Sequence, residues 1–61
     1  MYRYRLFDTD GNPQGEAHYA VLIKPGETIW TGDGRHLRVV DAIPPREDSA
    51  IYVGLLMVEA A

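Results

Sequence analysis

The 61-residue sequence lacks cysteine altogether, contains one serine, and carries only six lysine and arginine side chains against nine acidic ones. Without cysteine, neither a disulfide nor a zinc site built on thiolates can form. Ser49 lies in a charged stretch outside any Gly-x-Ser-x-Gly motif, so the sequence does not indicate an activated serine nucleophile. The net charge of −3 disfavours a protein that binds nucleic acids mainly through phosphate contacts.

Long hydrophobic runs are also missing. The longest mostly apolar stretch, from Ile51 to Val58, is far too short to cross a bilayer. Met1 is followed at once by alternating tyrosine and arginine, rather than by the charged and then apolar segment of a signal peptide. We therefore expect a cytoplasmic protein that does not contact a membrane.

The length predicts a single domain, residues 1–61, with a small core. Size scaling gives about 4,000 Å² of exposed surface for the folded chain. Apolar burial then contributes ~90 kcal/mol at ~25 cal/mol/Å², and ordering the chain at ~1.5 kcal/mol per residue costs about as much. Because the balance is close to zero and no disulfide can form, a partner subunit is an expected source of further stability.

Turn-forming residues divide the chain into five strand-like segments: residues 2–8, 16–23, 28–31, 35–43 and 51–58. The predicted fold is all-β, a small five-stranded antiparallel barrel, because closure removes exposed edges. For two segments, a helix remains an alternative to a strand. Residues 16–23 fit a helical turn almost as well as a strand. For residues 49–60 the alternative is a β-sheet with a C-terminal helix, although Gly54 and the β-branched residues disfavour it.

Alternation along the fourth segment also assigns its two faces. One face is predicted to carry the apolar residues Leu37, Val39 and Ile43. The other is predicted to carry His36, Arg38, Val40 and Ala42.

A family resemblance lies in the middle of the chain. Lys24-Pro25-Gly26-Glu27-Thr28-Ile29 and, after a glycine turn, Leu37-Arg38-Val39-Val40 resemble a signature of SH3-like small β-barrels. The resemblance covers residues 20–43 and implies a barrel in which the second hairpin strand carries the valine pair. The acidic loop motif of peptide-binding SH3 domains and a complete ribosomal KOW pattern are both missing, so neither activity carries over. The whole chain also resembles small stand-alone bacterial proteins, which implies no particular activity.

Candidate chemical groups are few and scattered. The stretch from Asp8 to Asn12 alternates carboxylates as a calcium loop does, but an EF-hand needs glycine at its sixth position and glutamate at its twelfth. We interpret the stretch as a hairpin turn. His18 and His36, with Asp33 or Asp41, show no metal-ligand spacing. We therefore predict no catalytic residue, no metal site and no cofactor, and a protein that is not an enzyme.

Arginine and tyrosine alternate in the first segment, a combination that single-stranded nucleic-acid grooves use for stacking and phosphate contacts. A nucleic-acid-binding accessory domain is therefore an alternative function. Alternation places the tyrosines and the arginines on opposite faces of the strand, which weakens this reading. The residues of this alternative patch are Tyr2, Arg3, Tyr4, Arg5, Arg35 and Arg38.

The last segment is apolar on both faces, whereas a barrel strand usually turns one polar face to water. We predict that Tyr52, Leu56 and Val58 form an outward apolar strip, together with Trp30. Arg38, His36 and Glu59 are the expected polar rim. A surface of this kind usually marks a contact with another molecule. The predicted function is thus an interaction module that forms a homodimer or binds another protein.

Overall fold

The computed structural model describes residues 1–44 and 52–61, and these residues form five β-strands without a helix. The strands are β1 (Tyr2–Phe7), β2 (Pro13–Tyr19), β3 (Thr28–Trp30), β4 (His36–Ile43) and β5 (Gly54–Ala60). The all-β prediction is confirmed, and the helical alternatives are wrong where the structure describes them. Residue 51 of the last predicted strand segment and residues 49–51 of its helical alternative lie outside the described residues.

The five strands form one sheet in the order β2-β1-β5-β4-β3. Three neighbouring pairs are antiparallel, but β1 and β5 are parallel, with Tyr4 opposite Gly54 and Leu6 opposite Leu56. The sheet curls into a half-barrel, so the predicted closed and purely antiparallel barrel is wrong. β5 lies in the middle of the sheet, between β1 and β4. A central strand of a mixed sheet can be apolar on both faces, so its composition does not require a closed barrel.

The hydrophobic core lies on the inner, curled face of the sheet. Every strand contributes to it, since alternate residues of paired strands point to the same side. Leu6, Val39, Leu56 and Val58 are each at most 1% exposed. The other buried core residues are Tyr4, Ala17, Ile29 and Leu37.

A β-bulge at Val40 changes which residues of β4 face the core. The register shifts between Val39 and Asp41, so that one extra residue separates two consecutive pairs with β5. After the bulge, Ala42 is partly buried against the core and Ile43 is 39% exposed. The predicted faces are therefore wrong for Ala42 and Ile43, because simple alternation does not survive an inserted residue.

The two edge strands, β2 and β3, are held together by side chains instead of a backbone ladder. The Tyr19 hydroxyl donates to the carbonyl of Trp30 at 3.1 Å. Arg35 donates from Nη1 to Oε1 of Gln14 at 3.1 Å and from Nη2 to its carbonyl at 2.9 Å. Since Gln14 belongs to β2 and Arg35 precedes β4, these bonds bridge the open side of the half-barrel.

Candidate protein interface on the outer sheet face

The row of β5 that was predicted to face a partner lies in the core. Leu56 is 0% exposed and Val58 is 1% exposed, so neither can contact another molecule, and this part of the interface prediction is wrong. Gly54 belongs to the same inner row, where a Cβ atom would lie 3.5 Å from Cε1 of Tyr4. The tighter approach at Gly54 is to the backbone oxygen of Ile43, which would lie 3.0 Å from the added Cβ, while the Tyr4 ring lies at ordinary contact distance.

The outer face of β5 carries Leu55 and Met57 instead. Strand pairing places Arg5 of β1 and Ile43 of β4 beside Leu55. It places Phe7 of β1 and Asp41 of β4 beside Met57. We call these two adjoining rows the outer block: Arg5, Leu55, Ile43, Phe7, Met57 and Asp41.

The outer block combines four apolar side chains with one charge of each sign. Phe7, Leu55 and Met57 are half-buried, and Ile43 is 39% exposed. Arg5 and Asp41 are exposed and occupy opposite corners of the block. An apolar centre with a polar margin is the usual composition of a protein contact surface.

Arg5 is held in place by two aromatic rings. Its guanidinium carbon lies 5.8 Å from the Phe7 ring centroid and 5.6 Å from that of Tyr52, within the range of a cation–π contact. The Tyr52 hydroxyl donates to the carboxylate of Glu16, and this hydrogen bond raises the pKa of Tyr52 above its usual value. Tyr52 therefore lies on the outer face over β1 and β2, and does not form a strip with Leu56.

Trp30 and His36 form a second exposed feature of the outer face, at the β3 edge. Their rings stack at 4.2 Å between centroids and 8° between planes, and Trp30 remains 64% exposed. Next to them, Arg38 donates from Nε to Oε1 of Glu59 at 2.8 Å. The three predicted rim residues thus share the outer face with Trp30, and the role of Trp30 in an interface stays a prediction.

The structure does not bring the alternative nucleic-acid patch together on one surface. Tyr4 is 4% exposed, and its hydroxyl accepts the backbone N–H of Ile23 at 3.0 Å. Arg3 donates from Nε to Nε2 of His18 at 2.9 Å. Arg35 turns toward the open side of the half-barrel and pairs with Asp33, while Arg38 pairs with Glu59. Arg5 contacts the half-buried rings of Phe7 and Tyr52.

The two histidines lie on different strands, His18 on β2 and His36 on β4, with β1 and β5 between them. Within residues 1–44 and 52–61, no three histidine, cysteine or acidic side chains lie close enough to hold a metal ion. That same part of the chain encloses no pocket.

The Asp8 loop has the geometry of a turn. Asp8 Oδ1 accepts the backbone N–H groups of Asp10 at 2.9 Å and Asn12 at 2.8 Å, and Gly11 has a φ of 85°. The hydrogen bond from the Asn12 backbone lowers the pKa of Asp8 below its usual value. The carboxylate thus orders its own loop through N–H donors.

Comparison with known proteins places the chain in no group: no family model, no curated protein and no solved structure matches it. Among the residues that the structure describes, no helix is long and apolar enough to span a membrane.

Sequence reasoning missed Leu55, Met57, Phe7, Ile43 and Asp41 as surface residues of one block. One signal could have found them. Gly54 interrupts the row of Leu56 and Val58, and a glycine inside an apolar strand often marks a close approach to another group. That close approach assigns the row with Gly54 to the core and the row with Leu55 to the surface.

Proposed function

We propose that this protein is a non-enzymatic interaction module that associates with a second copy of itself through the outer block. The observation that carries the proposal is that Phe7, Leu55, Met57 and Ile43 adjoin one another on the outer face. Contiguous apolar surface of this kind on a small protein usually marks a contact site. Two-fold pairing of identical surfaces is the commonest way in which soluble proteins use such a site.

The edges of the sheet offer a poorer route to association than its face. Edge strands join other sheets through unpaired backbone groups. Here β3 has only three residues, and the carbonyl of Trp30 already accepts the Tyr19 hydroxyl. On the other edge, Pro13 has no N–H to donate, and the carbonyl of Gln14 accepts Arg35. These features favour contact between faces over extension of the sheet.

The expected association is weak. The outer face of a curled sheet is convex, so two copies touch over less area than two flat sheets would. Three of the four apolar side chains of the block are already half-buried within one copy. Interfaces below about 1,200 Å² of total buried area belong to the transient class, so we expect a dissociation constant of about 10–100 µM.

Sedimentation velocity over a concentration series tests the proposal. The wild-type mass is expected to rise from that of one chain toward that of two between about 5 and 500 µM. Ile43→Lys should keep the protein monomeric over this range, because it replaces one of the four adjoining apolar side chains of the block with a charged one. Strictly monomeric wild type at the highest concentration would contradict self-association.

A matched control separates the block from general surface hydrophobicity. Val21 is 61% exposed in the loop before β3, outside the block, and Val21→Lys makes the same change of an aliphatic side chain to a positive charge. This variant should associate as the wild type does. If Val21→Lys abolished association as strongly as Ile43→Lys, the contact would not be located at the block.

The SH3-like relationship is proposed for residues 20–43 only. The turn formed by residues 24–27 leads into β3, and the backbone N–H of Gly26 donates to the carbonyl of Val39 at 2.8 Å. The β3–β4 hairpin then supplies Ile29, Leu37 and Val39 to the core. The parallel pairing of β1 with β5 lies outside this region.

A further inference from the structure

The outer block carries one positive and one negative charge at opposite corners, so its charges can complement those of an identical block. Building on the proposed self-association, we infer that each Arg5 contacts Asp41 of the second copy, and that this reciprocal pair selects another copy of the same chain as the partner. Three properties of the block support this contact. They are the positions of its two charges, the lack of a salt bridge to either charge among the described residues, and the net charge of the block.

Arg5 and Asp41 lie two strands apart and two residues apart along the strands, at opposite corners of the block. Standard strand geometry separates their Cα atoms by about 12 Å, too far for a direct ion pair within one chain. A two-fold axis in the contact plane, close to the diagonal from Phe7 to Ile43, brings each Arg5 to Asp41 of the other copy.

The same axis brings the apolar side chains together. Phe7 and Ile43 lie close to it, and Leu55 and Met57 lie on either side. The apolar residues of one copy thus cover those of the other, while the two ion pairs lie at the margins. Strands of the two copies cross at a steep angle, which is the orthogonal class of sheet packing.

No salt bridge among the described residues neutralises Arg5 or Asp41. On the outer face, Arg38 is paired with Glu59. Glu16 lies beside Arg5 in the β1–β2 ladder, but its carboxylate accepts the Tyr52 hydroxyl and forms no salt bridge with Arg5. Arg5 contacts aromatic rings, which do not cancel its charge. Asp41 Oδ1 accepts the backbone N–H of Ala42 at 2.9 Å, which leaves its negative charge in place.

The overall charge of the block favours a second copy over other partners. One positive and one negative corner sum to zero, so a uniformly charged nucleic acid or membrane surface meets one attractive and one repulsive corner. A surface with the same pattern, turned through a two-fold rotation, meets two attractive corners. Complementary charges of this kind set the register and the choice of partner more than the affinity.

Mixing two charge-reversed variants tests the inference. In homodimers, Arg5→Asp opposes two pairs of aspartates and Asp41→Arg opposes two pairs of arginines. Each variant alone should therefore dimerise about tenfold to hundredfold more weakly than wild type at low salt. An equimolar mixture restores an opposite-charge pair at both contacts, so its heterodimer should form with an affinity within about threefold of wild type.

Sedimentation velocity at low and high salt measures the affinities, and native mass spectrometry identifies the heterodimer by its mass. The matched control is the pair Lys24→Asp and Asp10→Arg, which makes the same kind of charge reversal in exposed loops outside the block. Neither control variant nor their mixture should differ from wild type by more than about twofold. Strand circular dichroism verifies folding, and Arg5→Glu with Asp41→Lys provides a second pair if either first variant unfolds.

The outcomes separate this inference from the proposed function. Wild type that stays monomeric overturns self-association and the charge pairing with it. Wild type that dimerises while the Arg5 and Asp41 variants associate normally, or fail to recover on mixing, overturns only the pairing. Equal weakening by the loop controls would also overturn the pairing, because net charge alone would then explain the effect. Recovery restricted to the Arg5 and Asp41 mixture supports the inference.

Discussion

The two faces of β5 are nearly equal in hydrophobicity but very different in burial. The inner row, Leu56 and Val58, is at most 1% exposed, whereas Leu55 and Met57 on the outer row are half-buried. Both rows consist of apolar side chains, so composition does not explain the difference. The neighbours explain it: Leu56 is paired with Leu6 of β1 and Ala42 of β4, whereas Leu55 is paired with Arg5 and Ile43.

A strand between two partners can thus have different surroundings on its two faces. Its inner row supplies the core on which folding depends, and its outer row is shared between neighbouring side chains and solvent. The side chains of the outer row are therefore less buried within one chain than those of the inner row. That partial exposure is what makes the outer block a candidate contact surface.

Shortening one side chain in each row of β5 is expected to give the largest difference in the free energy of unfolding. Leu56→Ala should lower the free energy of unfolding by about 2–5 kcal/mol, because it leaves a cavity in a fully buried site. Leu55→Ala should cost less than about 1 kcal/mol. Urea unfolding of the two variants measures the difference. Equal losses would mean that the two rows contribute equally to the core.

Gly54→Ala tests the close packing of the inner row, with a smaller effect. The added methyl group would lie 3.0 Å from the backbone oxygen of Ile43, so the backbone must shift, at a cost of about 1–3 kcal/mol. Gly32→Ala is the matched control, because a Cβ there meets no atom within 4 Å. Thermal unfolding should show a lower midpoint for Gly54→Ala alone, and unchanged midpoints for both variants would refute the tight contact.

Tyr52→Phe, on the outer face, is expected to give the smallest change in stability. Because the hydrogen bond to Glu16 raises the pKa of Tyr52, the protonated form is the stabilised one. Its contribution is complete below pH 10.0, the usual value, and disappears as the pH rises through the higher pKa of the folded state. At pH 8 the urea midpoint of the wild type should be higher than that of Tyr52→Phe. This difference should disappear once the pH exceeds the raised pKa of Tyr52. An advantage that persisted after Tyr52 ionisation would contradict the contact.

Strand content was predictable from the sequence because turn residues and alternation are local. The structure has five strands where the sequence predicts five, but β2 runs from Pro13 to Tyr19 instead of 16–23. Its ladder with β1 continues through Gly15, which adopts a φ of 100°. A glycine assigned to a turn can thus lie inside a strand, since its conformational freedom serves both.

Pairing and face were not predictable because they depend on residues far apart in the chain. Parallel pairing of Tyr4 with Gly54 involves the first and last strands. The bulge at Val40 coincides with two adjacent valines, and two adjacent apolar residues do not by themselves distinguish a bulge from a strand that is apolar on both faces. The candidate site lies where these two features meet, so alternation alone predicts the wrong row of β5 at the surface.

The single parallel pairing also determines how this chain must fold. The β1–β2 hairpin forms one half of the sheet and β3, β4 and β5 form the other. Within residues 1–44 and 52–61, the backbone hydrogen bonds between the halves lie along β1 and β5 and at the adjoining Val53. Making that junction closes a loop of about fifty residues, whose entropy must be lost before Leu6 and Leu56 come together. Each half can form early as local structure, but the core is complete only when the first strand meets the last, so folding should be slow for a chain of this size.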